Sequence, residues 1–590
     1  MIYLDIEIYR NYFLASFYKP STNKFVEIEA YPGKEIEQFK LARIMRNNTT
    51  VSFNGISFDL PIIAAAINGA SIETLKALAD KIILSGEPSW KICKQAGLRV
   101  PNWDHIDLIE VAPGQASLKI YGGRINAPTM QDLPIEPDAL IEPEQRAPMR
   151  QYCRNDLETT FLLHQKLKKQ VVLRESMSKE YGVDLRSKSD AQIAEAVLKS
   201  EIQKKTGRKL QKPSFNANKT FRYRKPSILS FRTPVLSQLY KDVLETDFTL
   251  AANGSIKMPA TLAKAKIEIG RSTYNLGVGG LHSMEKSQYI EVDDDFMLLD
   301  VDVASYYPNI ILEQSLAPES MGKSFLDVYQ SIVNRRLNAK KSGDKVTADT
   351  LKICVNGSFG KLGSRYSFLY SPDLLLQTTL TGQLALLMLI ESLEQLPGVS
   401  IVSANTDGIV IHLKRSRLDD VRNTCADWEI QTSYELEETH YRLIASRDVN
   451  NYLAVTTDGQ IKRKGVFAAG GLMKNPDRNI SYTAVAELLA NNTPIENTIK
   501  NCKDVTQFVT VRKVTGGAVW QGQELGKAVR FYYSNEVDAQ MTINYKKNSN
   551  KVPNSDGTRP LMTLGDFPKD IDYQVYIDYA NKLLEHIGYA

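Results

Sequence analysis

The first pattern along the chain is an alternation of apolar and acidic positions near its beginning. Residues 2 to 9, IYLDIEIY, predict a strand on which Asp5 and Glu7 point to the same face. An edge strand with one wet face is the plainer alternative. Because acids on so apolar a strand are costly unless something positive lies between them, we interpret the pair as candidate cation ligands.

Two further stretches place single acids on apolar elements. In TVSFNGISFDLPII, a strand-like run leads towards Asp59 at the beginning of a helix. In YCRNDLETTFLLHQKL, the apolar positions predict a helix on which Tyr152 and Asp156 share a face. Asp107, in HIDLIEV, is a candidate for a further acid nearby. Such a set can bind two divalent cations for phosphodiester hydrolysis, and its core members are Asp5, Glu7, Asp59 and Asp156.

A second group of acids lies later in the chain. The run MLLDVDVASYYPNIIL predicts a strand ending at Asp302, then a turn and a helix. Further on, Asn-Thr-Asp-Gly between SIVSA and IVIHL is a hairpin signal with Asp407 at its tip. A surface turn is the plainer alternative. However, an acid at a strand end is a rigid metal ligand, and the carbonyl of Val303 can add another oxygen.

Helical patterns carry positive side chains between these two acids. In SFLDVYQSIVNRRLNAKKSGDKV, a helix ending near Gly343 puts Arg336 and Lys340 on one face. In ADTLKICVNGSFGKLGS, Lys352 and Asn356 are again four apart. Cations on two helices that face an acid pair can form a cradle for a triphosphate.

An earlier stretch is basic and interleaved with aromatic residues. A helix is predicted from a capping box at Ser189 and Gln192 to a stop at Gly207. Residues 202–241 then contain no acid. This segment can neutralise phosphates and stack on bases, or serve as a solvated basic linker, and its candidate stacking residues are Phe215, Phe221, Tyr223 and Phe231.

Composition sets wider limits. A chain of 590 residues is too long for one core, which predicts about three or four structural units. The net charge of +5 permits a nucleic-acid partner without requiring one. Five cysteines are scattered singly, which favours reduced thiols and excludes a zinc spacing. No apolar run approaches the roughly 18 residues of a membrane span, and the acidic beginning MIYLDIEIYR is unlike a signal peptide, so we expect a cytoplasmic protein.

The first group of motifs resembles the proofreading 3′–5′ exonuclease domain of DNA polymerases. Asp-x-Glu, an Asn followed by Phe-Asp, and Tyr-x3-Asp occur in the family order, and SLKIYGGRINAPTMQDLP is similar to phage members. The resemblance implies an RNase H-like (DnaQ-type) domain. It also implies that Tyr152 orients the attacking water, and that Asn54 and Phe58 grip a single-stranded 3′ end.

The second group resembles the polymerase motifs of family B. DVASYYP is similar to the A motif Asp-x-x-Ser-Leu-Tyr-Pro, and KICVNGSFG to the B motif Lys-x3-Asn-Ser-x-Tyr-Gly. SANTDG is similar to the C motif Tyr-x-Asp-Thr-Asp-Ser, with Asn405 in place of the first Asp. The resemblance implies a two-metal site on Asp302, Asp407 and the carbonyl of Val303. Since the second Asp of the C motif pairs with the A-motif Asp in this family, we interpret Asn405 as a variation of a working site.

The same resemblance assigns ligand-binding roles. Tyr307 falls where a planar ring would clash with a ribose 2′-hydroxyl, which implies a preference for deoxynucleotides. The implied nucleotide-binding residues are Tyr307, Lys352, Asn356, Arg336, Lys340 and Phe359. YNLGVGG partly matches a Tyr-x-Gly-Gly motif, and Asn450 stands where a Lys-x-Tyr strand would have its Lys. The implied DNA-binding residues are Asn54, Phe58, Gly279, Gly280, Tyr452 and Lys464, the last replacing the missing Lys.

We therefore expect an α+β multidomain chain, an exonuclease domain followed by a right-hand polymerase with palm, fingers and thumb. The predicted division is 1–185 exonuclease, 186–290 basic connection, 291–470 palm with fingers at about 315–362, and 471–590 thumb. Short gaps between the A, B and C motifs leave no room for the insertions of protein-primed members, which favours ordinary primer extension. The expected partners are Mg²⁺, two per site with Mn²⁺ as a substitute, primer–template DNA, single-stranded 3′ ends, dNTPs, and a helicase or processivity factor, for a monomeric phage-encoded enzyme without membrane contact.

Three alternatives remain open on the sequence. The first is a 3′–5′ exonuclease whose polymerase part has decayed into a DNA-binding platform, favoured by Asn405, Gly357 and Asn450. The second is a non-catalytic replication-initiation or single-strand-binding protein, which would not need both sets of acids. The third is a reverse transcriptase, which leaves the exonuclease motifs and the B motif unexplained.

Overall fold

The N-terminal unit is built around a mixed sheet. The computed structural model describes residues 1–468 and 470–589. The sheet order is β3-β2-β1-β4-β5, with β2 antiparallel and β4 parallel to β1. The elements of this unit are β1 Ile2–Ile8, β2 Phe13–Lys19, β3 Lys24–Ala30, α1 Gln38–Asn47, β4 Thr50–Ser52, α2 Asp59–Ile67, α3 Ile72–Leu84, α4 Ser89–Gln95, β5 His105–Asp107, α5 Leu118–Arg124, α6 Arg146–Lys166 and α7 Lys168–Tyr181.

Strand β1 lies in the interior of this sheet, so the alternative of a wet edge strand is wrong. One face of β1 packs Ile2, Leu4 and Ile6 into a core shared with α2 and α3. The other face begins with Tyr3, which packs with Leu157 of α6. The alternation predicted from the sequence therefore turns the acids of β1 towards α6.

A connecting region follows and packs against the core of the next unit. Helix α8 begins with the predicted capping box of Ser189 and Gln192 and ends at Gly207, whose φ is 66°. Both predictions are confirmed. The elements are α8 Asp190–Thr206, β6 Thr220–Arg222, α9 Pro234–Glu245, β7 Asp247–Leu250, β8 Ile256–Lys257 and α10 Ala260–Ala263.

The aromatic residues of the basic segment correct one expectation. Tyr223 is 3% exposed, and its hydroxyl lies 2.8 Å from that of Thr381. Phe221 and Phe231 pack against the same core. The Tyr223 ring is therefore not available to stack on bases, and the partly buried Phe221 and Phe231 help to anchor the segment to the protein. Phe215, partly exposed, faces Tyr370 at 6.5 Å between ring centroids.

The largest sheet carries the second group of motifs. Its order is β18-β17-β16-β13-β15-β14-β11-β10-β9, and β12 pairs with β16. The predicted hairpin at Asp407 is confirmed as β14–β15, and a second hairpin, β17–β18, turns at Asp458. The elements are β9 Ile267–Ile269, β10 Ser272–Asn275, β11 His282–Ser283, β12 Gln288–Glu291, β13 Phe296–Val303, α11 Tyr306–Glu313, α12 Lys323–Ser342, α13 Lys345–Leu362, α14 Pro372–Leu393, β14 Val399–Asn405, β15 Gly408–Lys414, α15 Leu418–Thr432, β16 Leu436–Asp448, β17 Asn451–Thr456 and β18 Ile461–Arg463.

Helix α14 passes through the interior of this unit. By length and composition it could cross a membrane, but 89% of its apolar window is buried inside the protein, as in a core helix. Its buried polar side chains fix neighbouring loops. Gln383 accepts from the N–H of Gly277 at 2.8 Å and donates to its carbonyl at 2.7 Å. Glu391 accepts from the N–H of Arg232 at 2.6 Å. Helix α14 thus holds both the basic segment and the loop of Gly277 in place.

The C-terminal segment packs back on the N-terminal unit. The buried guanidinium of Arg530 donates to the carbonyl of Ala127 at 2.9 Å and to that of Leu561 at 2.7 Å. Burial lowers the pKa of Arg530 to about 10. The elements are α16 Asn479–Asn491, α17 Ile495–Asn501, β19 Thr510–Trp520, β20 Gln523–Tyr533, β21 Asn544–Tyr545, β22 Thr558–Pro560 and α18 Tyr573–His586.

Candidate active sites

The first site lies between β1 and α6. Ligand atoms of Asp5, Glu7 and Cys153 all lie within 4.8 Å of one another. The Cys153 thiol donates to Asp5 Oδ2 at 3.5 Å. Cys153 was not among the residues predicted from the sequence, although its spacing of three from Asp156 on one helix face was a usable signal. The two carboxylates are oxygen ligands of the kind that a hard divalent cation takes, whereas burial raises the pKa of the Cys153 thiol and favours its role as a hydrogen-bond donor to Asp5.

Asp59 supplies the clearest test of whether the cluster fits a metal ion. It is the first residue of α2 and is 3% exposed. Among the described residues, its Oδ1 atom is buried without a hydrogen-bond partner. A buried carboxylate oxygen normally has a partner, so this orphaned atom fits a cation ligand.

The acids of this site repel one another. Burial, and then the charges of Asp59, Glu7 and Asp156, raise the pKa of Asp5 well above its usual range. Burial is also the largest cause of the raised pKa of Glu7, about 8, of Asp59, about 7, and of Asp156, about 6. Bound divalent cations would relieve this repulsion, so the four carboxylates are more stable with two such ions bound than without them.

Lys119 and Tyr152 complete the wall of the site. Lys119 of α5 forms an ion pair with Asp132, and its ammonium lies 5.0 Å from the centre of the Tyr152 ring. The charge of Lys119 opposes the rise of the Glu7 pKa that burial causes. Burial and the neighbouring carboxylates raise the pKa of Tyr152 well above its usual value. Its phenol therefore keeps a proton and can donate a hydrogen bond to a water molecule.

Asp107 is a further acid near this site, and it holds one of the site's loops. Its carboxylate accepts from the backbone N–H groups of Asn54 at 2.7 Å, Ile56 at 3.0 Å and Ile109 at 3.1 Å. Both oxygens are thus engaged by the loop that leads to Asp59. After burial, the charge of Asp107 is the next cause that raises the pKa of Asp59, so Asp107 lies near the site, where it holds the loop on which Asn54 and Phe58 lie.

The raised pKa values predict how stability depends on pH. The folded protein holds protons on these carboxyl groups that the unfolded chain releases above a pKa of about 4. The free energy of unfolding of the metal-free protein should therefore fall as the pH rises from about 4 to about 8, the pKa of Glu7. Urea unfolding followed by tryptophan fluorescence at pH 5 and pH 8 measures this loss.

Magnesium should reverse the loss, and more strongly at pH 8 than at pH 5, because it binds the deprotonated carboxylates. The matched control is the Asp5→Asn/Glu7→Gln variant, whose pH dependence should be flatter. An unchanged pH dependence in that variant would show that the loss arises elsewhere in the protein.

The second site lies where β13 meets the β14–β15 hairpin. Asp302 pairs in register with Gly408, and the N–H of Val303 donates to the carbonyl of Asp407 at 2.8 Å. A Cβ atom on Gly408 would come within 2.0 Å of Asp302 Oδ1, so a larger residue there would displace the Asp302 carboxylate. The two carboxylates line one cavity of about 600 Å³. Their placement on neighbouring strands fits a pair of shared metal ions.

Burial and like charge also act at this site. Burial, followed by the charge of Asp300, raises the pKa of Asp302 to about 6. Burial raises the pKa of Asp407. Lys462 lies 2.8 Å from Asp300 Oδ2 and 3.9 Å from Asp302 Oδ2. Asp300 and Lys462 were not among the residues predicted from the sequence, although Asp-x-Asp on a strand repeats the signal already used for Asp5 and Glu7.

Two replaced motif positions contact each other. The Asn405 amide donates to Asn450 Oδ1 at 3.3 Å and to the carbonyl of Val449 at 3.0 Å. Thr406 Oγ1 donates to Asn405 Oδ1 at 3.0 Å. A neutral amide pair thus lies beside Asp407 where the resemblance would place an acid and a Lys. The negative charge missing at position 405 is thus accompanied by a positive charge missing at position 450.

A neighbouring cavity of about 350 Å³ shares Asp407 and Val303 with the carboxylate site. Its lining includes the predicted nucleotide-binding residues Tyr307, Arg336, Lys352, Asn356 and Phe359. The Tyr307 ring stacks on Phe359 at 4.2 Å between centroids. Lys340 is not in this lining and instead pairs with Glu437 at 3.3 Å.

The predicted DNA-binding residues of this part adjoin the same cavities. Tyr452 and Lys464 line the carboxylate cavity. The Tyr307 hydroxyl donates to the carbonyl of Gly279 at 2.7 Å. A Cβ atom on Gly280 would lie 3.0 Å from Thr406 Oγ1, so this glycine allows the loop to approach the hairpin tip.

Fold and sites together define a multidomain α+β chain with two candidate metal centres, one beside a cationic cavity. In sequence it is similar to DNA polymerase 1 from the archaeon Aeropyrum pernix, with 27% identity over 211 residues that cover 29% of this chain and 22% of that protein. In structure it is similar to the family B DNA polymerase of Pyrobaculum calidifontis, with a TM-score of 0.41 and 13% identity over 99% of this chain and 77% of that one. No protein-family model matches the chain.

Proposed function

We propose that this chain is a family B DNA-directed DNA polymerase with a 3′–5′ proofreading exonuclease. The observation that carries the proposal is a cavity lined by both Asp302 and Asp407, together with a neighbouring cavity in which Asp407 meets Arg336 and Lys352. Phosphoryl transfer from a metal-bound triphosphate requires carboxylates that bind the metal ions and positively charged side chains that bind the phosphates, and both are present here. Similarity to a named DNA polymerase over part of the chain supports the same reading.

In the polymerase reaction, Asp302, Asp407 and the Val303 carbonyl would hold two Mg²⁺ ions. These ions, when bound, lower the pKa of the primer 3′-hydroxyl and stabilise the charge of the leaving pyrophosphate. Arg336 and Lys352 would bind the triphosphate from the opposite wall of the cavity. The stacked rings of Tyr307 and Phe359 form a flat surface against the sugar and base of the incoming dNTP.

In the editing reaction, a second metal site would be formed by Asp5, Glu7, Asp59 and Asp156. Asn54 and Phe58, on the loop that Asp107 holds, would grip the single-stranded 3′ end. Tyr152 would donate its hydroxyl hydrogen to the attacking water and so orient it. Lys119 adds a fixed positive charge near the carboxylates, which favours binding of a phosphodiester.

The domain division proposed for these activities keeps the bounds predicted from the sequence, although strands β9 to β12, at residues 267–291, already belong to the large sheet. The exonuclease occupies residues 1–185, and the palm occupies 291–470 with α12 and α13 as the fingers. The connection at 186–290 and a thumb at 471–590 complete the right hand. The proposed partners are primer–template DNA, single-stranded 3′ ends, dNTPs and a helicase or processivity factor. We also propose that the enzyme is cytoplasmic, monomeric and encoded by a phage.

A second candidate is an exonuclease whose polymerase part only binds DNA. The neutral pair of Asn405 and Asn450 favours it, because the carboxylate cavity has fewer charges than the family motif implies. The paired Asp302 and Asp407 and the adjoining cationic cavity count against it, because a binding platform needs neither.

One experiment tests the proposal. The protein is incubated with Mg²⁺ and a 5′-labelled primer on a longer template, with and without dNTPs. We expect shortening without dNTPs and lengthening with them. Shortening in both lanes, together with no lengthening when the exonuclease is disabled by Asp5→Ala, would favour the second candidate. An unchanged primer in every lane would contradict both activities.

Tyr307 allows a prediction about sugar selection. Tyr307→Ala should raise incorporation of ribonucleotides relative to deoxynucleotides by roughly 10- to 100-fold, because the ring that would meet the 2′-hydroxyl is lost. Tyr307→Phe is the matched control, since it keeps the ring stacked on Phe359 and removes only the hydrogen bond to Gly279. Single-nucleotide extension with dNTP or NTP measures the ratio, and equal ratios for the Ala and Phe variants would contradict a steric role.

A further inference from the structure

A third cavity, of about 320 Å³, lies between the N-terminal unit and the segment at 470–507, with the edge strand β18 of the large sheet beside it. Arg124 and Lys166 line it from α5 and α6, and Arg463 lines it from β18. Tyr482 and Asn479 of α16 contribute the facing wall. No carboxylate is among the described residues that line it. The cavity is therefore positively charged and polar, which is the composition of an anion site.

Arg463 is the unusual member of this cavity. Burial lowers its pKa, with only a partial opposing effect from the charge of Glu487. Within residues 1–468 and 470–589, its guanidinium makes no ion pair within 4.0 Å, and no side-chain hydrogen bond of it is found either. A half-buried cation without a partner is costly, and a bound anion would remove that cost.

Arg124 explains why the cavity persists. Its guanidinium donates to the carbonyl of Leu472 at 2.7 Å and to Asn475 Oδ1 at 2.8 Å. These bonds tie the last residue of α5 to the segment after the large sheet. The two walls are thus joined beside the unpartnered Arg463, so an anion would meet a preformed site.

The position of the cavity indicates which anion it receives. On β18, Lys462 faces the carboxylate cavity, as does Lys464 just after the strand, whereas Arg463 faces this third cavity. Helix α5 carries Lys119 beside the exonuclease carboxylates and Arg124 in the third cavity. The same two short elements therefore adjoin both candidate active sites and the cavity between them.

We propose that this cavity binds a backbone phosphate of DNA while the strand engages either active site. Arg463 and Lys166 would contact the phosphodiester, and Arg124 would position the wall. This inference rests on the proposed function, because it requires DNA as the substrate. It adds a phosphate-binding site that is separate from both carboxylate clusters and from the nucleotide cavity.

DNA binding by Arg463→Gln tests the inference. A fluorescent primer–template with three unpaired 3′ nucleotides is titrated in EDTA, which prevents digestion, over a series of salt concentrations. We expect several-fold weaker binding, and a slope of log K against log salt that is smaller by about 0.7 to 0.9, the value of one phosphate contact. Lys166→Gln should act in the same direction. Lys169→Gln, an exposed charge on α7 outside the cavity lining, is the control and should match the wild type.

The other results are also decisive. Wild-type affinity and slope in both Arg463→Gln and Lys166→Gln would overturn the inference and leave the proposed function intact. A wild-type protein that binds no DNA would overturn the proposed function itself. If inorganic phosphate raises the melting temperature of the wild type but not of Arg463→Gln, while DNA binding is unchanged, the cavity is a small-anion site and the DNA assignment is wrong. Should Arg463→Gln fail to fold, the exposed Lys166 decides the outcome alone.

Discussion

Asp407→Ala is expected to abolish primer extension and to leave digestion of a single-stranded 3′ end unchanged. Asp407 lines both the carboxylate cavity and the nucleotide cavity, and the other acid of the pair, Asp302, cannot hold two cations alone. Loss of a preorganised electrostatic group at the reacting centre costs about 10³-fold or more in rate. Extension and digestion of one labelled primer, measured in the same preparation, give both rates.

The matched control for this variant is Asn405→Asp, which restores an acid on the same hairpin. We expect it to retain extension, because Asp302 and Asp407 are both kept, although the variant loses the two hydrogen bonds that the Asn405 amide donates to Asn450 and Val449. If Asp407→Ala extended primers at the wild-type rate, the second carboxylate cluster would not be the polymerase site.

Asp5→Ala should have the opposite result, with digestion reduced by about 10³-fold or more and extension kept. Asp5 lies at the centre of the exonuclease cluster, between Glu7 and Cys153. The folded protein should tolerate the change, because burial and neighbouring charges already raise the pKa of Asp5 and oppose its ionised form. Rates of 3′ shortening without dNTPs and of extension with them provide the measurement.

Asp5→Asn is the control that keeps the side-chain shape, and it should lose digestion as fully as Asp5→Ala. A folded Asp5 variant that had lost both activities would contradict the assignment of two separate sites. Circular dichroism before and after heating separates that result from simple unfolding.

Local chemistry explains which features could be predicted from the sequence. The strand of Asp5 and Glu7, the capping box at Ser189, the hairpin of Asp407 and the helix stop at Gly343 depend on neighbouring residues, and all are confirmed. Their signals are alternation, cap chemistry and turn residues, which act within a few positions of the chain.

Features that depend on tertiary contacts could not be predicted. The contact of Asn405 with Asn450 joins two different hairpins, and the role of Asp107 depends on its nearness to the loop of Asn54. The aromatic residues of the basic segment resemble a stacking surface in sequence, but Tyr223 is buried against Thr381 of α14. Residue type alone does not distinguish a ring that packs in a core from one that faces DNA.

The pairing of β13 with β15 has a consequence for the order in which a nascent chain acquires its sites. The strand of Asp302 can pair with the hairpin of Asp407 only after about 100 further residues have been synthesised. Pairing between strands so far apart in sequence is slow to form. The exonuclease ligands need only residues up to α6. On the ribosome, the nuclease cluster therefore has its ligands before the polymerase pair exists, and only the docking of the later segments joins the two.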